Sequence, residues 1–282
     1  MLSIIIINYN TRILTARLID SLAEHVLTSD SELIIVDNGS SDGSAECFSS
    51  HYPGARVIRL DSNVGFASAV NRAVAECAGE YIWLINSDCH VNSDVSSVML
   101  SYLASHSQTA AVTGRLVSPD GAFQASCRRF PSFGNILFSR QSPLGMLSNS
   151  SHRYTLPDYD TATPVDSCAA TNMLIRRECF DAVGGFDERF FMYCEDTDIC
   201  LRFAERGWNI VYLPEAEVVH EWAASWKDAG WMRYYHHHRS LCRYFRKHFS
   251  GETLKLCVLE LLLVVGLGIR MAVSTLARCL KS

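Results

Sequence analysis

Residues 2–10 read Leu2-Ser3-Ile4-Ile5-Ile6-Ile7-Asn8-Tyr9-Asn10. A run of branched apolar residues without polar alternation describes a strand covered on both faces. The run stops at Asn8 and Asn10. Beyond it Ile13, Leu14, Leu18 and Leu22 recur at helical spacing over Thr11–His25. The pattern then repeats along the chain. Glu32–Val36, Arg56–Leu60 and Tyr81–Ile85 are further apolar runs, and Gly65–Cys77 carries Ala67, Val70 and Val74 at helical period. Strands alternating with helices predict an α/β fold, a mostly parallel sheet with helices on both faces.

Polar residues close three of these runs: Asn8 and Asn10, then Asp37, then Asn86 and Asp88. In open α/β sheets ligands bind outside the carboxyl ends of the strands. Asn and Asp also form turns, but recurrence at successive strand ends favours a binding rim.

Composition narrows the function. The chain has 282 residues, 48% hydrophobic and 20% charged, enough to bury a full core. Lys and Arg number 25 against 30 Asp and Glu, a net charge of −5, which argues against a nucleic-acid binder. The 11 cysteines are scattered, with no CxxC pair. No cationic leader precedes Leu2, so the expectation is a cytoplasmic chain with reduced thiols that act as small core residues. His236, His237 and His238 have no cysteines at zinc-finger spacing.

Residues 115–165, rich in Ser, Pro, Arg and Gly, read as long loops. Order returns near Asp166–Arg177, in a helix Thr197–Arg206 capped by Gly207, and in a short strand Ile210–Tyr212. The expected division is a domain over 1–230 and a helical tail over 231–282. Tyr234–Phe249 is basic and aromatic. Leu256–Ile269 is apolar but short for a bilayer span and interrupted by Glu260. The tail is therefore expected to lie on the membrane interface, its cations against anionic headgroups. A packing helix or a homodimer contact is the alternative.

Three stretches carry chemistry. Asn86-Ser87-Asp88 puts a carboxylate at a strand end, where Mg²⁺ or Mn²⁺ can bridge to phosphates. Glu195-Asp196-Thr197-Asp198 gathers acids at a helix start after the apolar approach Phe190-Phe191-Met192-Tyr193. Acids suit a helix N-terminus anyway, yet apolar surroundings can raise a carboxyl toward a base's working range. Val218-Val219-His220 places an imidazole after an apolar run, a ligand that suits Mn²⁺ better than Mg²⁺.

Taken in order, these motifs resemble the family 2, GT-A-fold inverting glycosyltransferases, in their bacterial rhamnosyltransferase-like branch. The resemblance is carried by residues 3–10, by Ile34-Ile35-Val36-Asp37-Asn38-Gly39-Ser40-Ser41-Asp42-Gly43, and by Asn63-Val64-Gly65-Phe66-Ala67. It continues in Leu84–Asp88, in Gly184-Gly185-Phe186-Asp187-Glu188-Arg189-Phe190-Phe191 and in the Glu195–Asp198 cluster.

The resemblance implies roles position by position. Asp37 accepts a hydrogen bond from a pyrimidine, framed by the backbone of Asn8, Tyr9 and Asn10. Asn63 and Gly65 lie near the base or ribose. Asp88 and His220 hold a divalent cation at the diphosphate, with Asn86 and Ser87 beside them. Asp196 is the general base, Glu195 a positioner and Asp198 structural. Arg128 or Arg129 pairs with a diphosphate. Asn86 stands where relatives often carry a first acid, which leaves fewer charges on the metal. Cys168-Ala169-Ala170-Thr171 stands where Gly-Ala is common.

The implied reaction is an inverting transfer of a sugar from a nucleotide donor to a lipid-linked or other saccharide acceptor. The donor is expected to be dTDP-L-rhamnose, with UDP-sugars as the alternative because both pyrimidines present the same edge to Asp37. The site is placed on the cytoplasmic face of a bacterial plasma membrane. A non-catalytic nucleotide-sugar scaffold is the competing reading, and it has no use for a retained base.

Overall fold

The structure, a computed structural model, describes residues 1–137, 154–221 and 231–279, with the backbone alone for 270 and 272–279. Its first half runs β1 (Leu2–Asn8), α1 (Arg12–His25), β2 (Ser31–Asp37), α2 (Ser44–His51), β3 (Ala55–Arg59), α3 (Phe66–Glu76) and β4 (Tyr81–Ile85). Then come β5 (Cys89–His90), α4 (Val95–Ser105), β6 (Thr109–Val117), β7 (Phe123–Gln124), β8 (Cys127–Arg128) and α5 (Phe133–Leu137). The chain continues through β9 (Thr163–Val165), β10 (Ser167–Cys168), β11 (Asn172–Arg176), α6 (Arg177–Ala182), α7 (Glu195–Glu205) and β12 (Asn209–His220). It ends in α8 (Met232–His248) and α9 (Thr253–Cys279).

The central sheet is ordered β3-β2-β1-β4-β11-β6-β12-β5. The first four strands are mutually parallel, as the alternating pattern predicts. β11 then inserts antiparallel to both β4 and β6, and β6 pairs parallel with β12. The β1–β2 register sets Asn8 opposite Asp37, so the two polar strand ends are neighbours.

The isoleucine run has a direct cause. Ile5, Ile34 and Leu84 pack into one core layer with α3 and α7, while Ile4, Ile6, Ile35 and Trp83 pack into the other with α1 and α4. Successive side chains point to opposite faces, and both faces are covered. Each such fully buried aliphatic side chain contributes about 1.5–3 kcal/mol.

Several boundaries differ from the sequence reading. Residues 115–165 hold more than loops: β6 runs on to Val117, and β7, β8, α5 and β9 follow, with residues 138–153 outside the described part. These pieces are too short to show a period. α2 and α4 carry no expectation at all, since their small and polar residues blur the amphipathic pattern. α7 begins at Glu195, so the acidic cluster lies within its first turn. β12 is much longer than Ile210–Tyr212. It carries Pro214, Glu215 and Glu217 through a register shift between Leu213 and Val218, and the polar residues there hide the strand.

The tail also differs in extent. α9 starts before the apolar run and ends after it. α8 and α9 pack on the domain through a third apolar cluster of Phe190, Cys194, Leu241, Tyr244, Phe245, Leu256 and Leu259. Among the described residues no helix is long and apolar enough to cross a membrane.

Candidate active site

Asn8 and Asp37 form the floor of the rim at the carboxyl ends of β1 and β2. Asn8 Nδ2 donates to Asp37 Oδ1 at 2.8 Å and to Ser40 Oγ at 3.0 Å. Asn8 Oδ1 accepts from the hydroxyls of Thr11 and Thr15 at 2.9 and 2.8 Å. The Asn8 amide is thus committed within the protein, and what it does is orient Asp37. Tyr9 is exposed. Asn10 takes a left-handed backbone, φ +53°, and its Oδ1 accepts from Ser41 N at 2.8 Å. Asn and Asp tolerate that conformation better than other residues.

The next loop is held by Asn38, which follows β2. Its Oδ1 accepts from Val64 N at 2.9 Å, and its Nδ2 donates to Asn63 Oδ1 at 3.2 Å and Gly65 O at 3.3 Å. Asn63 Oδ1 in turn accepts from Gly65 N at 2.9 Å. Gly65 has φ +88°, and a Cβ there would sit 2.5 Å from Phe191 O. Only glycine permits that approach.

The metal candidates meet across the sheet. Asp88 follows β4 and His220 ends β12, and Asp88 Oδ1 lies 3.3 Å from His220 Nε2. Both are buried. Gln124 on β7 fixes the imidazole. Gln124 Nε2 donates to His220 O at 2.9 Å, so its Oε1, 2.8 Å from His220 Nδ1, accepts. With Nδ1 turned to Gln124, Nε2 is the nitrogen that faces Asp88, a placement that suits a divalent cation between the two side chains. Cys89 lies in the same group. Burial, and then the Asp88 charge, push its thiol well above the ordinary range. An Asp oxygen and a His nitrogen at this separation are a donor set that fits Mn²⁺ or Mg²⁺.

Asn86 and Ser87 frame this centre. Asn86 N donates to Thr171 O at 2.9 Å, its Nδ2 donates to Thr171 Oγ1 at 3.3 Å, and Ser87 Oγ lies 3.0 Å from Thr11 Oγ1. Thr171 lies in the stretch that departs from Gly-Ala, so that stretch borders the Asp88–His220 pair through Asn86.

The acidic cluster approaches along Phe191–Cys194. Phe191 O accepts from Phe66 N at 2.9 Å, which joins this approach to the Gly65 loop. Tyr193 and Cys194 both have positive φ, +68° and +65°. Two consecutive left-handed residues cost about 1–3 kcal/mol each and are tolerated where the surroundings hold them. They turn the chain into α7. Asp196 is half-buried, and its Oδ1 accepts from Thr197 N at 2.7 Å. Asp198 is fully buried and structural. Its Oδ1 meets His248 Nε2 at 2.8 Å and Lys247 Nζ at 2.6 Å, and its Oδ2 meets Arg202 Nε at 2.8 Å. Burial works against the charge, but the hydrogen bond from His248 and the charges of Arg202 and Lys247 hold its carboxyl below the usual range.

Arg128 and Arg129 part ways. Arg129 is exposed, its N–H donating to Tyr154 O at 2.8 Å. Arg128 is partly buried on β8. Burial opposes its charge, yet the nearby Tyr154 and Asp196 outweigh burial and raise its pKa. Its guanidinium therefore belongs electrostatically to the Asp196 side of the site.

α8 braces the approach from outside. His236 stacks on Phe191 at 4.8 Å, and Ser240 Oγ donates to Met192 O at 2.7 Å. Reading the sequence finds neither this brace nor Gln124. Asn38 and Thr171 appear in it only as motif letters. All act through partners distant in sequence.

A mixed sheet flanked by helices, with a polar rim at the strand ends and an Asp–His pair on it, is the architecture of a GT-A glycosyltransferase. The fold is shared with solved structures. One is the mannosyltransferase PcManGT of Pyrobaculum calidifontis in complex with GDP-Man and Mn²⁺, with TM-score 0.59 and 18% identity over 98% of this chain and 75% of that one. Another is GalNAc-T7 with UDP, GalNAc and Mn²⁺, with TM-score 0.59 and 13% identity over 79% of this chain and 44% of that one.

The chain belongs to glycosyl transferase family 2, whose model matches residues 3–184, and to its rhamnosyltransferase-like branch. The model for glycosyl transferase family group 2 matches residues 160–275. The N-acetylglucosaminyl-diphospho-decaprenol L-rhamnosyltransferase of Mycobacterium tuberculosis is 32% identical over 234 residues, 78% of this chain and 76% of that protein. The rhamnosyltransferase WbbL of Escherichia coli K12 is 30% identical over 180 residues, 60% of this chain and 65% of that protein.

Proposed function

We propose that the protein transfers L-rhamnose from dTDP-L-rhamnose to a lipid-linked saccharide, inverting the anomeric centre. The observation that carries the reading is the Asp88–His220 pair, set at the rim beside Asp37. Relatives that carry a rhamnosyltransferase name support the sugar, and the decaprenol-linked acceptor in one such name supports the acceptor class.

Asp37, held by Asn8, accepts from the pyrimidine N–H. Asn63 and Gly65 flank the base and ribose. Asp88 and His220 would hold a divalent cation, Mn²⁺ or Mg²⁺, whose positive charge would stabilise the diphosphate leaving group. Arg128 adds a fixed cation on the acceptor side. Asp196 takes the proton of the acceptor hydroxyl as its oxygen attacks the anomeric carbon. The nucleoside diphosphate leaves from the opposite face, and no protein nucleophile is needed.

The tail seats this chemistry on a membrane. Leu254, Val258, Leu261 and Val265 lie exposed at helical spacing on α9, opposite the buried Leu256 and Leu259. The basic residues of α8 lie in the same tail. An apolar face with cationic neighbours fits the headgroup layer of an anionic bilayer, here the cytoplasmic face. Flotation with anionic vesicles tests it: the wild type is expected to float and Leu261→Glu to stay down. A Leu261-dependent dimer without flotation would point to a second copy on that face.

The donor is tested by calorimetric titration of dTDP and UDP, each with and without Mn²⁺. Metal-dependent binding that favours dTDP is expected. A preference for UDP would move the reading to a UDP-sugar, and metal-independent binding would remove the role of Asp88 and His220.

A further inference from the structure

Ser240 stands in the middle of α8, although serine favours caps and turns over helix interiors. A mid-helix hydroxyl ordinarily faces solvent or returns to the carbonyl four residues back. Ser240 is instead buried, 3% exposed, and its Oγ donates to Met192 O at 2.7 Å.

The neighbours of Ser240 at four-residue steps share its helix face, and they follow the same stretch of chain. His236, one turn before, stacks on Phe191 at 4.8 Å. Tyr244, one turn after, packs in one cluster with Phe190 and Cys194. His248 lies 2.8 Å from Asp198, and its neighbour Lys247 lies 2.6 Å from the same carboxylate. α8 therefore grips the chain on both sides of Asp196. The downstream grip is a set of ion pairs within the first turn of α7. The upstream grip is the Ser240 bond to Met192 O, directly before the left-handed Tyr193 and Cys194, φ +68° and +65°. Non-glycine residues keep that conformation only where their surroundings impose it.

Asp196 is the second residue of α7, after the buried Glu195. Its Oδ1 accepts from Thr197 N at 2.7 Å and from Thr197 Oγ1 at 3.2 Å. The carboxylate is thus tied to its own turn, and its direction is the direction of that turn. The donor side has a separate anchor, since Phe191 O accepts from Phe66 N at 2.9 Å. We propose that Ser240 is a positioning residue for the base: by holding Met192 O it fixes the left-handed turn that sets the direction of the Asp196 carboxylate. This rests on Asp196 being the base. A misplacement of about 1 Å at a reacting group costs on the order of 10²-fold in rate.

Transfer from dTDP-rhamnose to a short-chain polyprenyl-diphosphate N-acetylglucosamine is measured for wild type, Ser240→Ala, Asp196→Asn and the double variant. Each kcat is referred to sites counted by Mn²⁺-dependent dTDP titration, so chains that fail to fold do not enter it. Alanine is smaller than serine and suits a helix interior. Ser240→Ala should lower kcat about 10- to 100-fold, with dTDP affinity and acceptor KM within about threefold of wild type. In the Asp196→Asn background the same substitution should change transfer by less than about twofold, because no base is left to misplace.

Wild-type kcat in Ser240→Ala, beside a low kcat in Asp196→Asn, would overturn the proposal and leave the base in place. An equal loss from Ser240→Ala in both backgrounds would overturn it as well and reduce Ser240 to packing. Wild-type kcat in Asp196→Asn would overturn the base reading, and the proposal with it.

Discussion

Asp88 Oδ1 and His220 Nε2 lie 3.3 Å apart, although one follows the fourth strand of the chain and the other ends the last. β6 and β12 run parallel, and the end of β12 pairs with β5, setting His220 opposite Cys89. The Asp–His pair is therefore a product of sheet order.

Gln124 is expected to matter without touching a substrate. It holds the tautomer and tilt of His220 through two hydrogen bonds. Gln124→Ala should weaken Mn²⁺ binding in the presence of dTDP about 10- to 100-fold, as loss of a ligand's orienting partner does. Calorimetric Mn²⁺ titration reads this directly.

Asp196→Asn removes the proposed base and leaves the rim at Asn8 and Asp37 untouched. Transfer should fall about 10²- to 10⁴-fold, the usual range for losing general-base catalysis. The dTDP affinity with Mn²⁺ should stay at the wild-type value. Comparing single-turnover rates with equilibrium binding separates the two.

Gly65→Ala places a methyl group 2.5 Å from Phe191 O in a left-handed backbone. The contact is between two main chains, so neither side yields readily. A loss of about 1–3 kcal/mol in urea unfolding is expected, together with weaker dTDP binding.

Asp198 should make stability pH-dependent. Its folded carboxyl is held below the usual value, burial opposing and His248, Arg202 and Lys247 prevailing. The stabilisation is therefore complete above the ordinary carboxylate range and is lost as pH falls through the lowered folded value. Asp198→Ala takes from Arg202 and Lys247, both mostly buried, their shared carboxylate and should cost about 3 kcal/mol at neutral pH, with a flatter acid-unfolding profile. Urea melts across acidic pH check both.

The tail should prove inseparable from the fold. Leu241, Tyr244 and Phe245 of α8 cover Phe190 and Cys194, and Lys247 bonds both Asp187 and Asp198. A chain ending at residue 230 should melt at least several degrees lower, since losing one large core side chain alone costs about 3–5 kcal/mol. Leu261→Glu, on the exposed face, should leave the thermal midpoint unchanged.

The sequence by itself determined the strands that build the rim and the polar residues that end them. Burial on both faces demands unbroken apolar runs such as Leu2–Ile7, and the carboxyl ends must turn, so Asn8, Asp37 and Asp88 stand where local pattern alone can find them. The tertiary structure decided the rest. It inserted β11 antiparallel between β4 and β6, carried His220 to Asp88, set Gln124 behind it, and chose Arg128 over Arg129 for the acidic side. It also enclosed Glu195 and folded α8 against the approach loop. These are pairings between distant segments. They depend on which strands lie side by side and on what covers a residue, and no local periodicity encodes either.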